Sequence, residues 1–366
     1  WNLIAYSFVN HLEILSITSL IGTYGFNLFC ISLFASPAIF ILRETKKDTG
    51  VCVVFLILLL LFYLHGSSYK KTFNSLDVIN YDYKVRVIGS NISLDRFYLN
   101  IDPVSVINEL IEISEPEKDD KTIFIWPEGI LPDVSQEELI EFKWLFEDTF
   151  SKNHLLFIGI NSQKTNKEKI NYFNSLSIYG HDLKILDFYN KINLVPFGEF
   201  LPFENILKKF GLSAITNNYQ SFSKGQDRKI IEIKRDDFSL KILPLICYEI
   251  IYSGKIFQNQ SFDLMVNISE DGWFGRSIGS KQHFAHSIFR SVESGKYLLR
   301  SANNGIAAIV NPLGIVEQKV EYGDSGYIEF KKVKKIQPTL FSKYGNKIFI
   351  TLILLYIFMI FSFNRF

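Results

Sequence analysis

The sequence predicts an α/β domain set between membrane-crossing helices, and three observations carry that reading. Strand-length apolar runs alternate with helical patterns from about residue 83 to residue 330. Long, almost uncharged apolar stretches lie near both ends of the chain. No repeat or low-complexity block interrupts the pattern, and 366 residues at 48% hydrophobic content suffice for one large domain or two ordinary ones.

The first apolar stretch, Leu20 to Leu42, carries no charge and is long enough for a hydrocarbon core of about 30 Å. The second, Val51 to Leu64, is short but can borrow Thr49, Gly50 and His65 to Ser68; the third is Ile348 to Phe363. A buried core helix is the alternative for each, strongest for the second. None has the position or the small-residue cleavage pattern of a signal peptide. Arg43, Lys46 and Lys47 occupy the turn between the first two spans and place it on the cytoplasmic side. The region from about Ser67 to Asn346 is then extracytoplasmic, and the third span returns to leave Arg365 inside. Lys331, Lys332, Lys334 and Lys335 fall outside on this assignment, but large translocated domains obey the charge rule poorly. The expected division is 1–66 membrane helices, 67–346 outward-facing domain and 347–366 closing helix. The chain begins at Trp1, directly in apolar sequence, and is expected to lack an N-terminal membrane portion. A net charge of +1 argues against a general nucleic-acid binder, which needs a basic surface.

After a polar linker, Gly66 to Asp82, Tyr83 to Ile92 reads as the opening strand. A helix follows around Val104 to Ile113, ended by Pro116 and the run Glu117 to Asp120. Ile123 to Trp126 is a buried strand that Pro127 breaks, presenting Glu128 at its end. Glu138 to Phe150 reads as helix; His154 to Ile160, Tyr172 to Tyr179 and Leu183 to Tyr189 read as strands. Lys191 follows the last of these, and Val195 to Glu199 forms a Pro- and Gly-containing turn that holds Glu199. Phe203, Ile206, Leu207 and Phe210 share one helix face beside Lys208 and Lys209, which suits a core-facing helix or a membrane-dipping arm equally. The strands Lys229 to Lys234 and Phe238 to Ile246 lead to Cys247, with Tyr248 and Glu249 behind it. Asp263 to Ile268 is a further strand, followed by the loop Ser269 to Gly275. A helix around Ser280 to Gly295 carries His283, His286, Arg290 and Glu293 at helical spacing. Two histidines without a third-ligand pattern such as HExxH do not make a metal site, and none is expected. Tyr297 to Ser301, Gly305 to Val310 and Gly326 to Phe330 complete the strands.

A free cysteine is most often a small buried hydrophobe. Cys30 and Cys52 fall inside spans, however, which leaves Cys247 alone in a domain expected to face an oxidising compartment. A thiol at a strand exit is a nucleophile if a base takes its proton and donors meet the developing oxyanion. Glu128 suits the first task; Lys191, with the backbone N–H after the cysteine, suits the second. No GxSxG elbow offers a serine alternative.

WPEGILP, YNKINLVPFGEFLP, LICYEI, DGWFG and RSANNG, in that order, closely resemble the motifs of the apolipoprotein N-acyltransferases, membrane members of the carbon–nitrogen hydrolase (nitrilase) superfamily. The resemblance runs over the whole chain and lacks only the family's N-terminal membrane helices. It implies an α-β-β-α sandwich, a Glu-Lys-Cys triad falling on Glu128, Lys191 and Cys247, and supporting roles for Glu199, Glu249 and Tyr248. It further implies a contribution from Trp273, and Trp126, Trp273, Phe203 and Phe210 are expected to contact substrate. The implied activity passes an acyl chain from a phospholipid, through a cysteine thioester, to the α-amino group of a diacylglyceryl-cysteine at the start of an apolipoprotein. Cofactors are not called for, and the implied site is the outer face of the bacterial inner membrane. Gly129 after the glutamate, and Glu270 with Gly272 before Trp273, depart from the family pattern and bear on substrate preference. A membrane-tethered amidase or nitrilase would use the same triad on a soluble amide, and a non-catalytic scaffold would need none of it.

Overall fold

The computed structural model describes residues 2–42, 46–166, 169–203, 221–235, 238–256 and 261–363. The helices in chain order are α1 (Leu12–Leu15), α2 (Thr18–Ile41), α3 (Lys46–Asn74), α4 (Pro103–Ser114), α5 (Lys143–Glu147), α6 (Gly279–Ser294), α7 (Leu340–Tyr344) and α8 (Lys347–Phe363). The strands are β1 (Ile79–Ser90), β2 (Thr122–Ile125), β3 (Leu131–Ser135), β4 (His154–Asn166), β5 (Lys169–Gly180), β6 (Ile185–Asn190), β7 (Ile231–Arg235), β8 (Phe238–Ile246), β9 (Leu264–Glu270), β10 (Tyr297–Asn303), β11 (Ala307–Val310), β12 (Val316–Val320) and β13 (Gly326–Val333).

Hydrogen bonding orders the main strands β6-β5-β4-β2-β1-β10-β9-β8-β7. The two halves join at a narrow seam, where only Gly89 and Ser90 of β1 pair with Ala302 and Asn303 of β10. Alternation along each strand then decides which side chains face which layer. Ile123 and Ile125 of β2, Leu155 and Phe157 of β4, Ile242 and Ile246 of β8, and Val266 and Ile268 of β9 meet in one core. The sheet is therefore folded over on itself, with that core between its halves. Phe124, Leu156 and Ile158 point the other way, into a second core under α4 and α5. Leu243, Leu245, Met265 and Leu298 point into a third, closed by α6 and by Phe26, Phe29 and Cys30 of α2.

Helix α4 is bounded as its sequence asks: Asp102 accepts the Val104 N–H at 3.0 Å, Pro103 opens the first turn, and Glu115 leaves with φ +42°.

Among the described residues, two helices are long and apolar enough to cross a membrane, at Thr18–Ile39 and Thr49–Asn74. Val53, Leu56, Leu60, Leu61 and Leu64 of α3 are each about half exposed, a continuous apolar face that water does not suit. The expected polar linker is shorter than its sequence suggests. Helix α3 runs on to Asn74, fastened by Lys70 to Glu13 of α1 at 2.9 Å, and β1 begins at Ile79. The helix expected over Glu138 to Phe150 is instead a 3-10 turn, Glu138–Phe142, followed by the short α5. Strands β3 and β12 are additions to the reading. The apolar stripe from Ile206 to Phe210 and the charged turn at Arg43 lie outside the described residues.

Candidate active site

The C-terminal ends of β2, β6 and β8 converge, which is where open parallel sheets collect functional groups. Pro127 stops β2, and Glu128 follows it against Gly159 of β4. A Cβ at position 159 would stand 2.3 Å from the Pro127 carbonyl oxygen, so only glycine lets the two segments approach. Glu128 is 6% exposed and Lys191 1%. The Lys191 ammonium lies 3.0 Å from Glu128 Oε1 and 3.0 Å from Glu199 Oε1. Asn174 of β5 ties the two carboxylates together, donating to Glu128 Oε1 at 2.7 Å and to Glu199 Oε1 at 2.8 Å. The remaining oxygens are held by main chain: Glu270 N–H donates to Glu128 Oε2 at 2.9 Å, and Val195 N–H to Glu199 Oε2 at 2.8 Å.

Cys247 opens a 3-10 turn, Cys247–Ile251, with φ +47°. A non-glycine residue in that region costs about 1–3 kcal/mol and persists only where its surroundings enforce it. Much of that enforcement is Glu249, fully buried and absent from the cavity wall. Its carboxylate accepts from Tyr189 Oη (2.8 Å), the Ile192 and Asn193 N–H groups (3.0 and 3.2 Å), Arg228 (3.1 Å) and the Ile246 N–H (2.9 Å). It thus staples the loop after Lys191 to the entrance of the cysteine turn. Behind the turn, Asp271 Oδ1 accepts from Ser269 Oγ (2.7 Å) and Arg300 (2.9 Å) and lies 2.9 Å from His283 Nδ1.

Electrostatics set the protonation states. Burial works against the Lys191 cation, but Glu128 and Glu199 outweigh it and hold the ammonium well above its ordinary value. Burial, with Glu128 and Asp271 in the same direction, pushes the Cys247 thiol well up despite Lys191. For Asp271, burial is opposed by the Arg300 guanidinium and His283, which hold its carboxyl well below the usual range. The resting site is a neutral thiol beside a fixed ammonium and two carboxylates. Such a thiol becomes a nucleophile only as a base removes its proton.

Glu128, Lys191, Glu199, Cys247 and Tyr248 share a cavity of about 570 Å³. Its rim is aromatic: Phe97, Tyr98, Phe197, Phe222, Trp273 and Phe274. Trp273 is half exposed, its ring 4.9 Å from that of Phe97. Trp126 is not part of this wall. Next but one to Glu128 in sequence, it faces the outer core under α4, fully buried, with Nε1 donating to Ser114 Oγ at 2.9 Å. Substrate contact expected of it is therefore corrected to packing. Phe203 is 79% exposed and not on the cavity wall, and Phe210 lies outside the described residues. His283 and His286 serve different partners, His283 meeting Asp271 and His286 meeting Tyr6. Sequence reasoning singled out Trp273 but missed Asn174 and the other rim aromatics. Asn174 did leave a signal, a polar residue in the middle of a strand, where burial demands a partner; Phe97 and Phe222 left none.

The profile of the carbon–nitrogen hydrolase family matches residues 112–328. The chain is 31% identical over 370 residues to an apolipoprotein N-acyltransferase of Rickettsia bellii, covering 98% of this chain and 70% of that one. It is 28% identical over 359 residues to that of Rhodopseudomonas palustris, covering 94% of this chain but 66% of the relative. Among solved structures, an amidase from Nesterenkonia sp. AN1, with an acetamide adduct on its active-site cysteine, aligns at 12% identity. The TM-score is 0.44, over 70% of this chain and 91% of that one.

Proposed function

The chain belongs to the carbon–nitrogen hydrolase family and, within it, to the apolipoprotein N-acyltransferases, and from that premise we propose that it N-acylates lipoproteins through a thioester on Cys247. The observation that carries the reading is the Lys191 ammonium held between Glu128 and Glu199 at 3.0 Å each, in a cavity that also contains the partly buried Cys247. Family membership supports the lipid substrates, since the relatives are named for that acceptor.

In the first half-reaction Glu128 takes the thiol proton as sulfur attacks an ester carbonyl of a phospholipid. Lys191 and the Tyr248 N–H, in the first turn where helical N–H groups have no internal partner, stabilise the oxyanion. The ester C–O bond breaks, the glycerol oxygen leaves with the proton held by Glu128, and a lysophospholipid departs. In the second half-reaction the neutral α-amine of a diacylglyceryl-cysteine attacks the thioester. Glu128 takes the amine proton, the C–S bond breaks, and the proton returns to sulfur as the amide forms. Both substrates carry long acyl chains, which the aromatic rim suits. A thioester also needs shelter from water.

The residues assigned as Glu128 base, Lys191 oxyanion partner, Cys247 acyl carrier, Glu199 brace and Trp273 lipid contact act from an extracytoplasmic domain, from about Asn74 to Asn346. Helices α2, α3 and α8 fix it in the inner membrane. The exposed apolar face of α3 supports that placement. At 1.5 Å per residue the 17-residue α8 spans roughly 25 Å, enough to close the bundle with its flanking residues.

The test is intact mass spectrometry of the protein after incubation with phospholipid and then with a diacylglyceryl-lipopeptide. The expected result is one acyl chain on Cys247, discharged onto the peptide amine and absent in Cys247→Ala. Release of free fatty acid alone would move the assignment to a lipid hydrolase, and acyl label on Cys247→Ala would remove the nucleophile.

A further inference from the structure

The helical row His283, His286, Arg290 and Glu293 has no part in the chemistry above. All four side chains are buried on α6, and each has its own partner. His283 Nε2 donates to the Cys247 carbonyl at 3.2 Å, while its Nδ1 is fixed 2.9 Å from Asp271 and 3.1 Å from Arg300. Seven positions on, Arg290 donates to the carbonyls of Ile250 (3.4 Å) and Ile251 (3.1 Å). A spacing of seven returns to the same face of a helix. One helix therefore grips both ends of the turn that carries the cysteine.

Glu293 of the same helix faces α2, which is not continuous. Gly22 breaks it with φ +70° and ψ 172°. A Cβ there would stand 2.1 Å from the Phe341 ring, so both the backbone angle and the contact require glycine. The break leaves the Thr23 N–H without its place in the helical ladder, and it donates to Glu293 Oε1 at 2.7 Å. Thr23 Oγ1 donates to the same oxygen at 2.7 Å and accepts a hydrogen bond from Arg290. Ser253 Oγ, just beyond the cysteine turn, donates to it as well at 2.6 Å, and Arg290 Nε lies 2.6 Å from Glu293 Oε2. Nearer the chain start, Tyr6 Oη meets His286 Nδ1 at 2.7 Å.

The geometry points to α6 as a positioning clamp that makes the aim of the nucleophile depend on the docked, broken form of α2. His283 and Arg290 hold the cysteine turn in its positive-φ conformation. Thr23, through Arg290 and Glu293, holds the clamp. His283 also lines the cavity, but its ring nitrogens are engaged by the Cys247 carbonyl and Asp271; in this scheme it acts, with Arg290, Glu293 and Thr23, through the turn, as a positioning residue. The inference rests on Cys247 being the nucleophile of the proposed reaction.

The test compares Thr23→Val, which removes the hydroxyl and keeps the N–H, with Thr23→Ser, which keeps both. The full chain is used in lipid nanodiscs. Cys247 is read in two ways: acylation by phospholipid at saturating donor, and alkylation by iodoacetamide, which needs no lipid. Thr23→Val is expected to slow both by about tenfold, in line with the sensitivity of reacting geometry to small displacements. The donor concentration for half-saturation stays unchanged, and Thr23→Ser stays near the wild-type rates. Wild-type rates in Thr23→Val would overturn the clamp, and so would losses no larger than the unfolded fraction measured by hydrogen exchange. Should Thr23→Val fail to fold, His283→Leu against His283→Gln, which keeps an amide donor, decides the same question from the other end. A wild-type chain that alkylates but never takes an acyl chain from phospholipid defeats the lipid reading, while the ratio of Thr23→Val to Thr23→Ser in alkylation still decides the clamp.

Discussion

The cluster around Lys191 and the cluster around Asp271 are both buried, both charged and both set at strand ends beside Cys247. The first sets one ammonium against two carboxylates, Glu128 and Glu199, and opens into the cavity. The second sets the Arg300 guanidinium against the one Asp271 carboxylate and is filled by Ser269, Ser280 and His283. An excess of carboxylate next to a neutral thiol is a place for a proton to go. A cluster of balanced charge has no such vacancy and serves to hold shape. On the proposed reaction, then, buried charge alone does not mark the reacting group; an excess of carboxylate facing the cavity does.

The largest effect that would sharpen this contrast is Lys191→Met. Loss of the oxyanion partner is expected to slow Cys247 acylation by about 10²–10³-fold or more. The two carboxylates left facing each other destabilise the fold by about 3–5 kcal/mol, read from denaturant melts. Asp271→Asn is the matching change on the other side. Stability is expected to fall by about 3 kcal/mol as Arg300 loses its partner, but acylation per folded molecule falls only about tenfold. A folded Asp271→Asn protein as dead as Lys191→Met would break the comparison. The pH dependence distinguishes them too. The folded-state value of Asp271 is depressed, so its stabilisation is complete above its unfolded value of about 3.9 and fades as pH falls below that. Acid melts of Asp271→Asn should lack that loss.

The smallest effect is on the thiol itself. Burial and then Glu128 raise the Cys247 value, so alkylation by iodoacetamide should still be climbing well past pH about 8.5, the ordinary thiol value. In Glu128→Gln one raising charge is gone, and the profile should move toward lower pH even as acylation is lost. A profile unmoved by that substitution would mean that Glu128 does not face the sulfur.

Much of the fold was legible because its signals are local. Strand-length apolar runs marked the strands, Pro127 marked the end of β2, and Pro116 with the run Glu117 to Asp120 marked the end of α4. Glu128, Lys191 and Cys247 stood out for the same reason, each being the first chemically active residue past a strand end. Trp126, expected to contact substrate, continues the row of Phe124 into the outer core, and the break at Pro127 turns Glu128 out of that row and into the cavity. Glu249 was read as a supporting group of the site, and what only the structure shows is how it is held, by Tyr189, Arg228 and the N–H groups of Ile192, Asn193 and Ile246. The extent of α3 was misjudged because Lys70 and its neighbours look like linker until Glu13 is placed beside them.

By itself the sequence determined the α/β class, the apolar helices at the two ends and the three residues offered as base, oxyanion partner and nucleophile. Each of these is written in a few consecutive residues through periodicity, charge and strand-breaking chemistry. Only the tertiary structure decided that Asn174 bridges two carboxylates, that aromatics from distant loops ring one cavity, and that α6 joins the break at Gly22 to the turn of Cys247. Those facts depend on residues up to 270 positions apart, as Thr23 and Glu293 are. What brings such residues together is packing between layers, which no local pattern records.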